Sequence, residues 1–181
     1  MKAWIQSVLV WLFAVVSLIL IFPVFVVVWV FTVPFDRRRI VLNYFTNLWG
    51  SVYTLLAPFW KVTIENREKI RKDIVYVMVS NHQSLLDILV LSRLFTHFKW
   101  ISKEENFKVP IVGWVMSMNR DIRLKRDKRS GIMHMMKDGI RTLKQGSSLM
   151  IFPEGTRSET KEMRNFKEGA FRLAKETSVP V

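Results

Sequence analysis

The chain contains no cysteine. That absence excludes a disulfide framework, thiolate metal ligands and any covalent acyl-cysteine intermediate. Any covalent catalysis then uses another nucleophile. Charge is missing too, but only locally: residues 1–35 hold one basic residue, Lys2, and no acidic one. No internal repeat and no low-complexity linker interrupts the chain. Histidine is scarce, with three in all, so few residues are available as a general base near neutral pH.

What is present divides unevenly. The 181 residues fit one domain plus an appendage. Against 15 Asp and Glu stand 28 Lys and Arg, a net charge of +13 carried almost wholly by the part beyond residue 35. The split reads as a membrane anchor joined to a basic domain that is drawn to anionic lipid surfaces. Nucleic acid is the other partner such charge suggests, but the body lacks the aromatic–basic interleaving of a base-stacking surface.

From Trp4 to Val33 the sequence is almost entirely apolar, long enough to cross a hydrocarbon core of roughly 30 Å as a helix. Trp4, Trp11 and Trp29 suit its interfaces, Pro23 could kink it, and Arg37-Arg38-Arg39 form a basic flank that points to a cytoplasmic domain in a bacterial inner membrane. The run is too long for a secretory signal peptide, and no small-residue cleavage site follows it. Ile40–Trp60 predicts a second helix. Leu42, Phe45, Leu48, Trp49, Val52, Leu55, Leu56 and Phe59 recur at helical spacing, with Asn43, Asn47 and Ser51 on the other side. It reads as an amphipathic helix in the membrane interface, or as an ordinary helix packed on the domain. Residues 1–60 are thus expected to be the anchor, and 61–181 the globular domain.

The body alternates. Strands are expected at Lys61–Glu65, Ile74–Ser80, Lys99–Ser102, Asp121–Leu124 and Ser148–Phe152. Helices are expected at Leu85–Phe95, Val109–Met118, Arg129–Gln145 (stopped by Gly146) and Lys167–Thr177. This is the pattern of an α/β fold, with a mixed sheet flanked by helices and preceded by a membrane-anchoring helical hairpin. Val179-Pro180-Val181 resembles the start of a further strand, so the domain is expected to be cut short there.

Two short runs carry the chemistry. In Asn81-His82-Gln83-Ser84-Leu85-Leu86-Asp87 a histidine follows a strand directly, where α/β sheets gather their sites. Asp87 could accept a hydrogen bond from one ring nitrogen and leave the other as base. The plainer reading is a capping box, with Ser84 as N-cap and Asp87 at the third helical position, and the two readings are compatible. Ser84 as a nucleophile lacks a surrounding Gly-x-Ser-x-Gly elbow. A metal site of His82, Asp87 and Glu154 would have a single histidine. The second run, Phe152-Pro153-Glu154-Gly155-Thr156-Arg157-Ser158, is a turn after the most hydrophobic strand, and its arginine suits bidentate phosphate binding. Lys103 and Arg120 are further basic candidates. Lys125-Arg126 and Lys128-Arg129 read as a solvated or lipid-facing surface.

Together, NHQSLLD and FPEGTRS, in this order and each after an expected strand, resemble the glycerolipid acyltransferase superfamily, most nearly the bacterial 1-acyl-sn-glycerol-3-phosphate acyltransferases. The resemblance spans about residues 60–181. It implies His82 as the base that deprotonates the hydroxyl of lysophosphatidate and Asp87 as its orienter. Acyl-CoA or acyl-carrier protein would be the donor, and no cofactor and no metal would be needed. Glu154, Gly155, Thr156 and Arg157 match the acceptor-binding block, Arg120 the arginine that ends a second block, and Lys103 a basic position contacting the acceptor phosphate. That second block usually ends Phe-Ile-Asp-Arg, where this chain has Ser117-Met118-Asn119-Arg120.

Overall fold

The computed structural model of the chain describes residues 2–56, 61–126, 129–158, 160 and 162–181. Helix α1 (Lys2–Thr32) continues through Pro23. Its segment Val8–Thr32, 25 residues, is apolar and long enough to cross a membrane, and the rest of the protein covers almost none of it. At 1.5 Å per residue that is about 37 Å of helix against a core of roughly 30 Å.

The turn after α1 is built from its own polar side chains. Asp36 Oδ2 accepts the Val41 N–H at 2.8 Å, capping α2 (Ile40–Leu56). Arg39 has a positive φ of 56° and folds its guanidinium back onto the carbonyls of Val33 and Asp36, at 3.2 and 2.9 Å. A cation there satisfies carbonyls that a helix end leaves open, and opposes the negative end of the helix dipole.

Helix α2 is inverted relative to a helix packed in water. Its buried residues are Leu42, Asn43, Asn47, Gly50, Ser51 and Thr54, while Val41, Leu48, Leu55 and Leu56 are exposed. The buried polar groups are all satisfied. Asn43 Oδ1 accepts the Phe98 N–H at 3.3 Å, Asn47 Nδ2 donates to the Thr96 carbonyl at 3.1 Å, and Ser51 and Thr54 bond to carbonyls of their own helix. The polar stripe therefore docks on the body and the apolar stripe faces outward. Phe59 and Trp60, expected to end this helix, lie outside the described residues, as does Lys128.

The body runs β1 (Val77–Val79), α3 (Leu86–Ser92), β2 (Phe98–Lys103), α4 (Val112–Met118), β3 (Ile122–Leu124), α5 (Arg129–Lys144), β4 (Ser148–Ile151) and α6 (Gly169–Thr177). The strands lie in the order β1-β4-β2-β3, and every pairing among the described residues is parallel. This corrects the expected mixed sheet. Each strand is followed by a helical crossover that returns the chain to the same end, as parallel pairing requires. Lys61–Glu65 is a second correction. Its side chains alternate between half-buried and exposed, but it joins no ladder, and the Val62 carbonyl is met by the Arg93 guanidinium instead.

Helices α5 and α6 cover one sheet face, where Val77, Leu149, Ile151, Met135, Leu143 and Leu173 form the core. The α5 stop at Gly146 is as expected: with φ +84° it lets Ser147 N–H reach the Thr142 carbonyl and Gly146 N–H the Leu143 carbonyl, a Schellman closure. The edge of β1 is covered in part by the chain's last residues, where the Pro180 carbonyl accepts the Val77 N–H at 3.0 Å.

Candidate active site

The parallel sheet puts the carboxyl ends of all its strands on one edge. His82 follows β1 there, Phe152–Ser158 follows β4, and Lys103 ends β2. One carboxylate oxygen organises the first run. Asp87 Oδ2 accepts from His82 Nδ1 at 2.9 Å, from the Gln83 N–H at 2.8 Å and from the Ser84 N–H at 2.9 Å. The regular helix begins at Leu86, slightly later than expected, and its formal cap residue Leu85 makes no side-chain capping bond. Capping is supplied one residue earlier, where Ser84 Oγ accepts the Leu86 N–H at 3.2 Å. Ser84 and Asp87 thus cap each other's ends of the turn, and the oxygen that closes the box also holds the histidine.

The imidazole is 14 % exposed and lies flat on Phe152, centroids 3.9 Å apart and planes within 10°. Trp100 extends the stack at 5.6 Å from Phe152. With Nδ1–H directed at a carboxylate and the ring face fixed by an aromatic, Nε2 is the nitrogen available to accept a proton.

The second run is locked to the first through backbone. Glu154 is buried, and its Oε1 accepts the His82 N–H at 2.7 Å while Oε2 accepts the Arg164 N–H at 2.9 Å. The His82 carbonyl in turn accepts the Ser158 N–H at 2.8 Å. Both Glu154 oxygens are occupied by amides, so this side chain is a brace between the two motifs rather than a ligand-facing group, which revises the expectation that it contacts substrate. Gly155 has φ +76°, a conformation that side-chain-bearing residues rarely adopt, and it turns the chain so that Thr156 and Arg157 emerge exposed. Lys103 is also exposed on this edge.

Arg120 is not part of this constellation. It immediately precedes β3 and so lies at the amino edge of the sheet, where its guanidinium donates to the Arg37 carbonyl at 2.9 Å. The arginine at the carboxyl end of β3 is Arg126, in the pair read from the sequence as surface charge. Lys167 was missed as well. Its side chain lies over Gly155, such that a Cβ there would sit 3.0 Å from Nζ, and its N–H donates to the Pro153 carbonyl at 2.8 Å. Adjacency to the turn is visible only in three dimensions; the sequence places it twelve residues away.

The chain is similar to known proteins in sequence and in fold. The acyltransferase family model matches residues 61–181. A 1-acyl-sn-glycerol-3-phosphate acyltransferase of Chlamydomonas reinhardtii is 40% identical over 172 residues, covering 91% of this chain and 51% of that protein. A chloroplastic one from Arabidopsis thaliana is 44% identical over 154 residues, 83% of this chain and 42% of that protein. The chain therefore spans about half the length of these curated relatives. The crystal structure of the 1-acyl-sn-glycerophosphate acyltransferase PlsC from Thermotoga maritima superposes with a TM-score of 0.77 at 27% identity, covering 99% of this chain and 73% of that one.

Proposed function

Because the chain belongs to the acyltransferase family, we propose that it transfers a fatty acyl group from a thioester donor, acyl-CoA or acyl-carrier protein, to the free hydroxyl of 1-acyl-sn-glycerol 3-phosphate, giving phosphatidate. The observation that carries the reading is the three-way hydrogen bonding at Asp87 Oδ2, which fixes His82 with Nε2 free. His82 Nε2 takes the acceptor hydroxyl proton as the oxygen attacks the thioester carbonyl. The tetrahedral intermediate collapses with cleavage of the carbon–sulfur bond, and the imidazolium returns the proton to the departing thiolate. No acyl-enzyme is formed, in keeping with a chain that has no cysteine. Asp87 holds the ring's tautomer and stabilises the imidazolium. Arg157, with Lys103, holds the acceptor phosphate, and the Thr156 hydroxyl and Gly155 backbone complete that turn. Glu154 positions His82 through its backbone, and Arg126 replaces Arg120 as the basic residue of the second block to be tested.

The acceptor named for the relatives, 1-acyl-sn-glycerol 3-phosphate, supports lysophosphatidate. The apolar α1 and the outward apolar face of α2 support work at a membrane, and Arg37-Arg38-Arg39 after α1 support its cytoplasmic face. The test is acyl transfer by the purified chain from labelled acyl-CoA and acyl-carrier protein, with lysophosphatidate, lysophosphatidylglycerol and lysophosphatidylcholine offered as acceptors. Preference for lysophosphatidate, with turnover about a hundred- to ten-thousandfold lower in His82→Ala, is expected. Near-normal turnover in that variant removes the base assignment, and preference for another acceptor removes the substrate.

A further inference from the structure

One cavity among the described residues lies away from His82. It opens at the opposite, amino-terminal edge of the sheet, with a volume of about 520 Å³. Five cationic side chains, Arg37, Arg38, Lys99, Arg120 and Arg141, line it with two carboxylates, Asp121 and Asp138. Both carboxylates are already engaged: Asp121 Oδ1 accepts the Trp100 N–H at 3.0 Å while its charge partly offsets Lys99, and Asp138 pairs with Arg141 of the same lining at 2.9 Å. Five cations against two carboxylates leave an excess of three cationic side chains. The arginines are held in place, Arg38 by the Gly146 carbonyl at 2.7 Å and Arg120 by that of Arg37. At the back is Lys99, 2 % exposed, whose Nζ is buried without a hydrogen-bond partner. An ammonium so placed is costly unless an anion meets it.

We propose that this cavity binds a phosphate group, at a site separate from the one containing His82. The chemistry is that of a bound oxyanion: guanidinium groups in fixed positions around it and a buried ammonium beneath. Burial holds the Lys99 ammonium below the usual lysine range, with Asp121 opposing and Arg120 and Arg39 adding to it, and a bound anion reverses that pressure. The source has a geometric pointer. Arg37 and Arg38 belong to the turn that directly follows the membrane-length helix. A second recess, lined by Trp29, Arg39, Ser117, Met118 and Arg120, adjoins through the shared arginine and sets two apolar side chains beside two guanidinium groups. A lipid headgroup phosphate and a free phosphate share the recognition chemistry, and the experiment separates them.

The measurement is thermal melting of the full chain in a non-ionic detergent. It is titrated with inorganic phosphate and, separately, with phosphatidylglycerol or phosphatidylcholine in mixed micelles. Wild type should gain on the order of 5 °C with at least one phosphate-bearing probe. A gain with phosphatidylglycerol alone assigns a lipid headgroup; a gain with inorganic phosphate alone assigns a soluble ion. Arg157→Ala, which removes the phosphate-holding turn at the carboxyl edge, should keep a gain, and adding Lys99→Met to that variant should abolish it without lowering its anion-free melting temperature. Arg37→Gln, on the exposed turn, should weaken the half-saturation concentration about tenfold whether or not Lys99→Met folds. No gain in wild type, a gain that survives Lys99→Met in the Arg157→Ala variant, an unshifted half-saturation concentration in Arg37→Gln, or a gain lost in Arg157→Ala alone overturns the site. General stabilisation by a kosmotropic anion would leave the Lys99→Met gain intact.

Discussion

At the scale of single residues, the division of labour between the two motifs is unequal. Arg157 and Lys103 point out of the carboxyl edge, whereas Glu154 points in. Replacing Arg157 by Ala removes a charge-assisted, bidentate donor, so the acceptor KM should rise about ten- to a hundredfold while the donor KM holds. Steady-state kinetics with each substrate varied in turn checks this; a change confined to the donor would put the wrong ligand at the turn. Glu154→Gln should act differently. One amide N–H of the backbone then meets an NH2 group in place of a carboxylate oxygen. That costs about 1–3 kcal/mol, lowering the melting temperature on the order of 5 °C, and kcat should fall as His82 shifts, with little change in either KM. Glu154 is visible in the sequence as part of a matching block, but the use of both its oxygens by amides is not, because Arg164 reaches it only after the chain has looped back.

At the scale of elements, most of the body was legible because each strand ends in its own turn chemistry and each helix in its own stop. Gly146 and the Ser84–Asp87 capping pair are local devices, readable without tertiary knowledge. Lys61–Glu65 was not, because alternation reports a half-buried extended chain, and a ladder also needs a neighbour. Arg120 was misplaced for want of direction: a residue just before a parallel strand lies at the edge opposite the one just after it. His97, just before β2, gives this amino edge a measurable acid response. Burial, with the charges of Lys99 and Arg38, pushes its pKa down to about 3, below the roughly 6.5 of an unfolded chain. The unfolded state therefore takes the proton first. Stability is full above about pH 6.5 and falls as the pH drops toward 3, by about 2 kcal/mol near pH 5. Denaturant unfolding at pH 7 and about pH 5 should show that loss in wild type and a smaller one in His97→Gln; equal losses would mean another group carries the acid sensitivity.

At the scale of the molecule, the sheet separates two polar ends, and α1 and α2 give one flank an apolar surface. Exposed Leu48, Leu55 and Leu56 on α2 add to the exposed length of α1. Membrane attachment should therefore rest on buried apolar area more than on the +13 charge. High salt and alkaline carbonate should leave the protein in the pellet, with detergent needed to release it; release by salt alone would make the attachment electrostatic. The inverted polarity of α2 also bears on the order of events during synthesis. Asn43 and Asn47 leave the ribosome about fifty residues ahead of Phe98 and Thr96, the groups that satisfy them. Until β2 has been made, this helix has an apolar side ready for lipid and a polar side without its partners. Its membrane docking should then be completed only when the body folds, which stalled nascent chains ending before and after residue 103 would reveal as a gain in protease protection of α2. Protection already complete in the shorter chain would show that lipid alone settles the helix. The anchor, on this account, is finished last although it is made first.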